Sequence, residues 1–345
     1  MPFIHVANTD AEREMEGSSH PVFQESLNST PITRQLQFLP LLYKKREDQV
    51  LVTSRVEKYK DHLQSFIGPF KEGSEILSWA PSLALASFAK QNGLIYLMPE
   101  WEVVKEVNSK AFSFHQGTYL PRSELIISWD QLLKWISLTE GPRVLKTCFG
   151  SAGKGHLLLP GPSLQKLEAF AYPQFLAGRP LIAEPFVKRV LDFSTQWIIS
   201  KDQTIHYVGS TVLQNSPKGH YQASVIGEES LLFKSYLPQL DSHKITAESV
   251  LKKMASLGFF GHVGIDAMIW GEAILHPIVE INARKTMGFM ALEMRKQLFP
   301  HQTIKLSYTH HHRSGLPLLP QEALFNGRND PFPYNLYAEI LQRAT

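Results

Sequence analysis

The chain carries a single cysteine in 345 residues and no apolar run long enough to cross a membrane as a helix. A lone Cys148 excludes an intramolecular disulfide framework and fits a reducing compartment. Charge of one sign is missing too. Lys and Arg number 35 against 32 Asp and Glu, a formal net charge of +3, which is too even for a nucleic-acid protein. The basic cluster Lys44-Lys45-Arg46 is offset at once by Glu47 and Asp48. The first dozen residues show no charged-then-apolar leader pattern. These absences lead us to expect a cytoplasmic protein with no nucleic-acid partner, no membrane association and no internal repeat.

What is present is a 43% hydrophobic composition, enough to bury substantial cores in two or three domains. The first hundred residues read as an α/β unit. Strands are expected at 49–54, 75–79 and 94–99, and helices at 56–66 and 84–90, the second stopped by Asn92-Gly93. Alternating strands and helices imply a mostly parallel sheet. Residues 1–30 are polar and rich in Ser, Glu and Asn, so loose order is expected there.

The most informative stretch is Gly261-His262-Val263-Gly264-Ile265-Asp266-Ala267-Met268, followed by Val279-Glu280-Ile281-Asn282-Ala283-Arg284. On a strand the side chains alternate, so Glu280, Asn282 and Arg284 share one face while Ile281 and Ala283 pack behind. Oxygen donors of this hardness suit magnesium carrying phosphate. A Glu and an Arg two apart can equally satisfy each other at a sheet edge, and these residues alone leave both readings open.

Upstream, Pro142-Arg143-Val144-Leu145-Lys146 leads through Gly150-Ser151-Ala152-Gly153-Lys154-Gly155 into a second apolar run at 157–159. Glycines let backbone N–H groups approach an anion, and Lys154 adds charge at the tip. Gly155 follows Lys154 and no helix signal comes after, so this is not a Walker loop; a ligand-free glycine hairpin is the plain alternative. In Ile182-Ala183-Glu184-Pro185-Phe186-Val187, proline ends a strand and frees the backbone beyond it.

In this order the pieces resemble the ATP-grasp superfamily over roughly residues 108–295. The resemblance implies an α+β and α/β molecule. A Rossmann-like N-terminal domain over 1–107 would precede an ATP-grasp domain over 108–300, whose two subdomains clamp ATP, with a C-terminal extension over 301–345. It implies that Lys146 holds nucleotide phosphates and that Gly150, Ser151, Gly153, Lys154 and Gly155 close over them. Glu184 would accept from the exocyclic amine of adenine, and the backbone of Phe186 and Val187 would read the ring edge. Asp192 falls where the family binds ribose, with Leu191 the alternative if the register slips by one. Asp266, Glu280 and Asn282 match the metal set for Mg2+ or Mn2+, and Arg284 the arginine near the transferred phosphate. Asn108-Ser109-Lys110 resembles an Asn-x-Lys motif whose lysine reaches a phosphate, although a solvated helix lysine is the usual alternative. Some amino-acid ligases of the superfamily place an arginine two residues before the first metal acid; here that residue is Gly264.

The chemistry implied is ATP-dependent joining of a carboxylate to an amine through an acyl phosphate, releasing ADP and phosphate. The substrates would be small molecules, amino acids or peptide-like compounds. Lys154 and Arg284 are the expected charge stabilisers, and Cys148 is read as a packing residue. A small-molecule kinase that stops after phosphoryl transfer is the near alternative, and a non-catalytic ATP-binding regulatory module the distant one. Residues 214–222 are expected to shape the acceptor pocket. His310-His311-His312 lacks metal-site spacing. The segment 325–345 is expected to dock on the body or to contact a second subunit, as a homodimer would require.

Overall fold

The computed structural model describes residues 2–17, 22–66, 69–117, 119–150, 155–216, 219, 221–309 and 315–342. A five-stranded parallel sheet comes first, formed by β1 (Ile4–Val6), β2 (Gln49–Val52), β3 (Leu63–Ser65), β4 (Glu75–Ser78) and β5 (Ile95–Tyr96) in the order β3-β2-β1-β4-β5. The mostly parallel sheet read from the sequence is therefore present. Helices α1 (Glu12–Met15), α2 (Phe23–Leu27) and α3 (Pro31–Leu36) connect β1 to β2. Helix α4 (Leu83–Gln91) starts where the Ser82 side chain accepts from Leu85 N and stops at Asn92, with Gly93 at φ 65°.

Two expectations fail here. Among the described residues of the N-terminal stretch, Ile4-His5-Val6 is not loose but forms the central strand, entirely buried, because three residues suffice when strands on both sides supply the ladder. Residues 56–66 are not an α-helix but a 3₁₀ turn at Glu57–His62 followed by β3. Pairing of 63–65 with β2 outweighs a local pattern that lacks apolar residues between 60 and 62.

After α5 (Trp101–Asn108) and α6 (Lys110–Phe114), a four-stranded antiparallel sheet takes the order β6-β9-β7-β8, from β6 (Glu124–Ile126), β7 (Arg143–Lys146), β8 (His156–Leu159) and β9 (Leu181–Pro185). Helices α7 (Trp129–Leu138) and α8 (Leu164–Leu176) cover one face, packing on Leu145, Leu157, Leu181 and Ala183. The period of two then turns Val144, Lys146, His156, Ile182 and Glu184 to the opposite face.

The third sheet has eight strands: β10 (Arg189–Ile199), β11 (Ile205–Asn215), β12 (Tyr221–Ile226), β13 (Gly261–Trp270), β14 (Ile274–Asn282), β15 (Thr303–Thr309), β16 (Leu316–Pro317) and, after the hairpin of β17 (Glu322–Phe325) and β18 (Arg328–Pro331), β19 (Asn335–Gln342). Helices α9 (Glu229–Phe233) and α10 (Leu237–Ser256) lie between β12 and β13 in the chain, and α11 (Met287–Leu298) follows β14. One core joins α10 to β10, β13 and β14 through Val250, Met254, Trp197, Val263 and Ile281. Another wraps α11, whose Phe289, Met290 and Met294 pack with Phe38 and Val50 of the first unit and Leu306 and Leu336 of the last strands. Helix α11 is apolar on several sides because it is buried between two sheets. Of the segment 325–345, the described residues 325–342 dock on the body, since β19 pairs with β15. His310, His311 and His312 lie outside the described residues.

Val6 is fully buried in the central strand. Val6→Asp is expected to cost about 3 kcal/mol or more, because an unpaired carboxylate would be forced into the core. Urea denaturation followed by circular dichroism checks this.

Candidate active site

Strands β13 and β14 are antiparallel neighbours, and their register sets Asp266 directly opposite Glu280 and Gly264 opposite Asn282. Two carboxylates thus face each other on one side of the sheet. Burial, and then the Glu280 charge, push the Asp266 carboxyl up to about 7. Glu280 is held below the ordinary range despite its burial, because the Lys110 ammonium stands 2.8 Å from its Oε1. The Asn282 amide donates to Asp266 Oδ2 at 3.3 Å. Lys110 is no solvated helix lysine: it is buried, and its Nζ also donates to Gly150 O at 2.7 Å. The Asn-x-Lys motif docks α6 along β14. Asn108 Oδ1 accepts from Ala283 N at 2.9 Å and Ser113 Oγ from Ile281 N at 3.0 Å.

Across a cleft from this pair stands the small sheet. Lys146 Nζ lies 2.5 Å from Glu184 Oε2, both buried. Burial alone would raise the Glu184 pKa, but Lys146 holds it down. His156 shares that face; burial, and then Lys146, lower it to about 4, so the ring is neutral. Lys146, His156, Phe186, Asp192, Asp266 and Glu280 all border the cleft. It continues into a groove of about 590 Å³ between residues 186–192 and 212–216. Strand β7 runs into β8 as an antiparallel hairpin with Lys146 opposite His156, and a Cβ at Gly155 would strike Thr147 Oγ1. Ser151, Gly153 and Lys154 lie outside the described residues.

The Asp192 register is resolved by a bulge at Val190, where β10 slips against β13. Arg189 and Asp192 then share the cleft face, while Leu191 packs with the buried Phe193 cluster. Asp192 is braced on both oxygens, by Arg189 at 3.1 Å and by Asn215 Nδ2 at 3.0 Å. In the linker, Phe186 N donates to Pro142 O at 2.8 Å. The Phe186 N–H is therefore committed, and the Phe186 carbonyl and the Val187 peptide remain for a ring edge.

Among the described residues no three His, Cys, Asp or Glu side chains converge. Two carboxylates and an amide leave most of an octahedral shell to phosphate oxygens and water, which suits Mg2+ and not a closed zinc site. The raised Asp266 pKa shows how strongly burial and Glu280 disfavour a second negative charge there.

No protein-family model matches the sequence, and no curated protein matches it. Solved structures do resemble it. The biotin carboxylase domain of Hydrogenobacter thermophilus 2-oxoglutarate carboxylase, solved with MgADP, ADP and bicarbonate, gives a TM-score of 0.58 at 11% identity, covering 98% of this chain and 85% of that one. N5-carboxyaminoimidazole synthetase from Staphylococcus aureus, complexed with ADP, gives 0.51 at 12% identity over 90% and 83%. A putative ATP-grasp superfamily protein from Archaeoglobus fulgidus gives 0.53 at 10% identity over 99% and 100%. The chain has the ATP-grasp fold.

Within that fold, Arg284 is the expected residue that moves furthest. Its Nε donates to Glu12 Oε1 at 2.8 Å, so an N-terminal glutamate, and not a strand neighbour, is its partner. Its guanidinium borders a second cleft, beside β4. Gly264 has no room for the superfamily arginine, since a Cβ there would meet Thr286 Cγ2 at 2.6 Å and Gln196 Oε1 at 3.1 Å. The loop around 214–222 borders the first cleft through Asn215, Gly219 and Tyr221, and not the second; Pro217, Lys218 and His220 are outside the described residues. Cys148 is buried, with its thiol pushed up by burial, as a packing residue would be. Among the described residues no helix is long and apolar enough to cross a membrane. Sequence reasoning missed Glu12 and Arg189, for which no local signal exists; it reached His156 and Asn215 only as members of the loops 150–156 and 214–222, without a role of their own.

Two predictions follow from this geometry. Gly264→Ala is expected to cost about 1–3 kcal/mol through overpacking against Thr286, read as a lowered denaturation midpoint. The raised Asp266 pKa favours the protonated form in the folded state. Its contribution to stability is thus present below about pH 4 and lost as pH rises through about 7. Without divalent ions, Asp266→Asn should therefore melt above the wild type at pH 8, by about 1–3 kcal/mol of stability, with the gap closing towards pH 4. Equal melting curves across that range would contradict the assignment.

Proposed function

We propose that this protein is an ATP- and Mg2+-dependent ligase that activates a carboxylate and joins it to an amine, releasing ADP and phosphate. The observation that carries the reading is the facing Asp266–Glu280 pair, which borders one cleft together with Lys146 and His156 of the β7–β8 hairpin. Adenine would lie against the Phe186–Val187 backbone, with Glu184 accepting from its exocyclic amine once Lys146 turns to the phosphates. The ribose would meet Asp192, already oriented by Arg189 and Asn215. Lys110 and Lys146 would bring positive charge to the phosphates, and Lys154 of the glycine-rich sequence 150–155 would add to it. Asp266, Glu280 and Asn282 would hold Mg2+, or Mn2+ in its place, which supplies charge neutralisation at the phosphate oxygens.

The protein then needs no nucleophile of its own. A carboxylate oxygen attacks the γ-phosphorus, the bond to the bridging oxygen of ADP breaks, and an acyl phosphate forms. The amine attacks the acyl carbon, phosphate leaves, and the amine proton passes to solvent. The chain's part is alignment and charge, which dominate phosphoryl transfer. The neighbours support this class: one is titled a synthetase and another was solved with MgADP and bicarbonate. The acceptor is a small molecule, and cytoplasmic residence fits the lone reduced cysteine.

The test is ATP turnover with Mg2+ across small carboxylates, bicarbonate and amines, singly and in pairs, with products identified by mass spectrometry. A condensed product with ADP and phosphate is expected; a stable phosphorylated compound would make the protein a kinase. Nucleotide binding without acceleration by any pair would favour a regulatory module. Glu280→Gln is expected to lower turnover by at least 100-fold with an unchanged melting profile. Lys146→Met should raise KM for ATP by about tenfold, the worth of one charge-assisted contact.

A further inference from the structure

Behind the carboxylate pair the eight-stranded sheet carries a second line of polar side chains. Strand alternation puts Asp192, Ser194 and Gln196 of β10 on the face that carries Asp266. The register with β13 sets Ser194 directly opposite Asp266 and Gln196 opposite Gly264. Ser194 and Gln196 are buried, at 3% and 1% exposure.

Hydrogen bonds join these groups into a chain whose direction is fixed. At the start of α11, Thr286 Oγ1 accepts the Phe289 N–H at 3.2 Å, capping the helix. The Thr286 proton then goes to Gln196 Oε1 at 2.7 Å. With its oxygen taken, the amide turns its nitrogen to Ser194 and donates to Oγ at 2.8 Å. Ser194 thus accepts from Gln196 and gives its own proton to the Asp266 carboxyl. A flipped amide would take the Ser194 proton for itself and leave the Thr286 proton without this acceptor, so the helix cap decides the orientation.

Ordinary packing does not ask for this amide. The buried glutamines Gln35 and Gln37 tie down loop backbone, donating to Pro320 O and Leu27 O. Among the described residues, the Gln196 amide bonds side chains alone. Two glycines leave room for it. A Cβ at Gly264 would meet Gln196 Oε1 at 3.1 Å, and one at Gly288, in the first turn of α11, would meet Nε2 at 2.8 Å. Glycine weakens strand and helix interiors, so both elements give up stability around one side chain. The pairing of β10 with β11 also slips just after Gln196, an irregularity of the kind that re-aims side chains.

A carboxylate swivels easily about its last torsion, which has no sharp staggered wells. Donors behind a metal-binding carboxylate fix that rotation, and losing one costs about 10–100-fold in metal affinity. Asp266 has such donors in Ser194 from β10 and Asn282 from β14.

We propose that Gln196 is a positioning residue for the cation site: acting through Ser194, and with its direction set by Thr286, it orients the Asp266 carboxylate so that the remaining lone pairs face the cleft. The inference rests on the reading of Asp266 and Glu280 as the Mg2+ site.

The test is calorimetric titration of ADP, with and without saturating Mg2+, into the wild type, Gln196→Met, Ser194→Ala and Ser194→Thr. The ratio of the two dissociation constants reads the cation site, and the Mg2+-free constant reads the nucleotide pocket and the fold. Gln196→Met keeps the length of the side chain without its amide and is expected to bring the ratio down about tenfold, towards one. Ser194→Ala should lower it as much, while Ser194→Thr, which keeps the hydroxyl, should retain it. The Mg2+-free constant should be the same in every variant. A residue that only packs would lower the melting point and leave the ratio alone. An undiminished ratio in Gln196→Met or Ser194→Ala therefore overturns the proposal, as does a ratio lost in Ser194→Thr as fully as in Ser194→Ala. Ser194→Ala removes a single oxygen and decides the matter where Gln196→Met does not fold. A wild type that binds ADP equally well with and without Mg2+ would overturn the cation site and the positioning role with it; a responsive wild type whose variants respond alike would count against the positioning role alone.

Discussion

Everything in the first cleft depends on one electrostatic conflict, two carboxylates forced face to face on adjacent strands. The register of β13 and β14 leaves Asp266 and Glu280 no freedom to separate, and burial removes the water that would screen them. Like charges in that position are relieved by a proton on one of them or by a cation beside them. The fold supplies a cation in Lys110, on a helix tied to β14 by Ser113, with Asn108 just before it holding Ala283 N. Lys110 answers Glu280, whereas Asp266 has only the Ser194 and Asn282 hydrogen bonds and the charge of Arg284, and its pKa stays raised. A divalent ion there would displace that proton.

The same economy of placement runs through the rest of the site. The small sheet gives one face to α7 and α8 and turns the other, with Lys146, His156 and Glu184, towards the carboxylates. A bulge at Val190 re-phases β10 so that Arg189 and Asp192 face the cleft together. Helix α11, locked between two sheets, fixes the segment from Asn282 to Thr286 that separates the two clefts. Arg284 sits in that segment, and Glu12, from a four-residue helix near the start of the chain, holds it. The Arg284–Glu12 ion pair thus ties the N-terminal unit to the segment that follows the carboxylate pair.

Much of this was legible in the sequence because strands write their faces in alternation. Glu280 and Asn282 could be placed on one strand face from spacing alone, while Asp266, Lys146 and Glu184 joined the site only through the family resemblance. Short-range signals also placed α4, through Asn92-Gly93, and the hairpin that is not a Walker loop. What could not be read depends on tertiary partners. Ile4-His5-Val6 is a strand only because β2 and β4 flank it. Residues 63–65 follow the sheet and not their own propensity. The Arg284–Glu12 pair spans 272 positions, and nothing local announces it.

The central claim is that the facing carboxylates form the cation site through which nucleotide phosphates are held. Its most direct test is calorimetric titration of ADP into the wild type and Glu280→Gln, each with and without Mg2+. The account predicts that Mg2+ tightens ADP binding to the wild type by tenfold or more and has little effect on Glu280→Gln. ADP affinity that ignores Mg2+ in the wild type, or an undiminished Mg2+ effect in the variant, would contradict it.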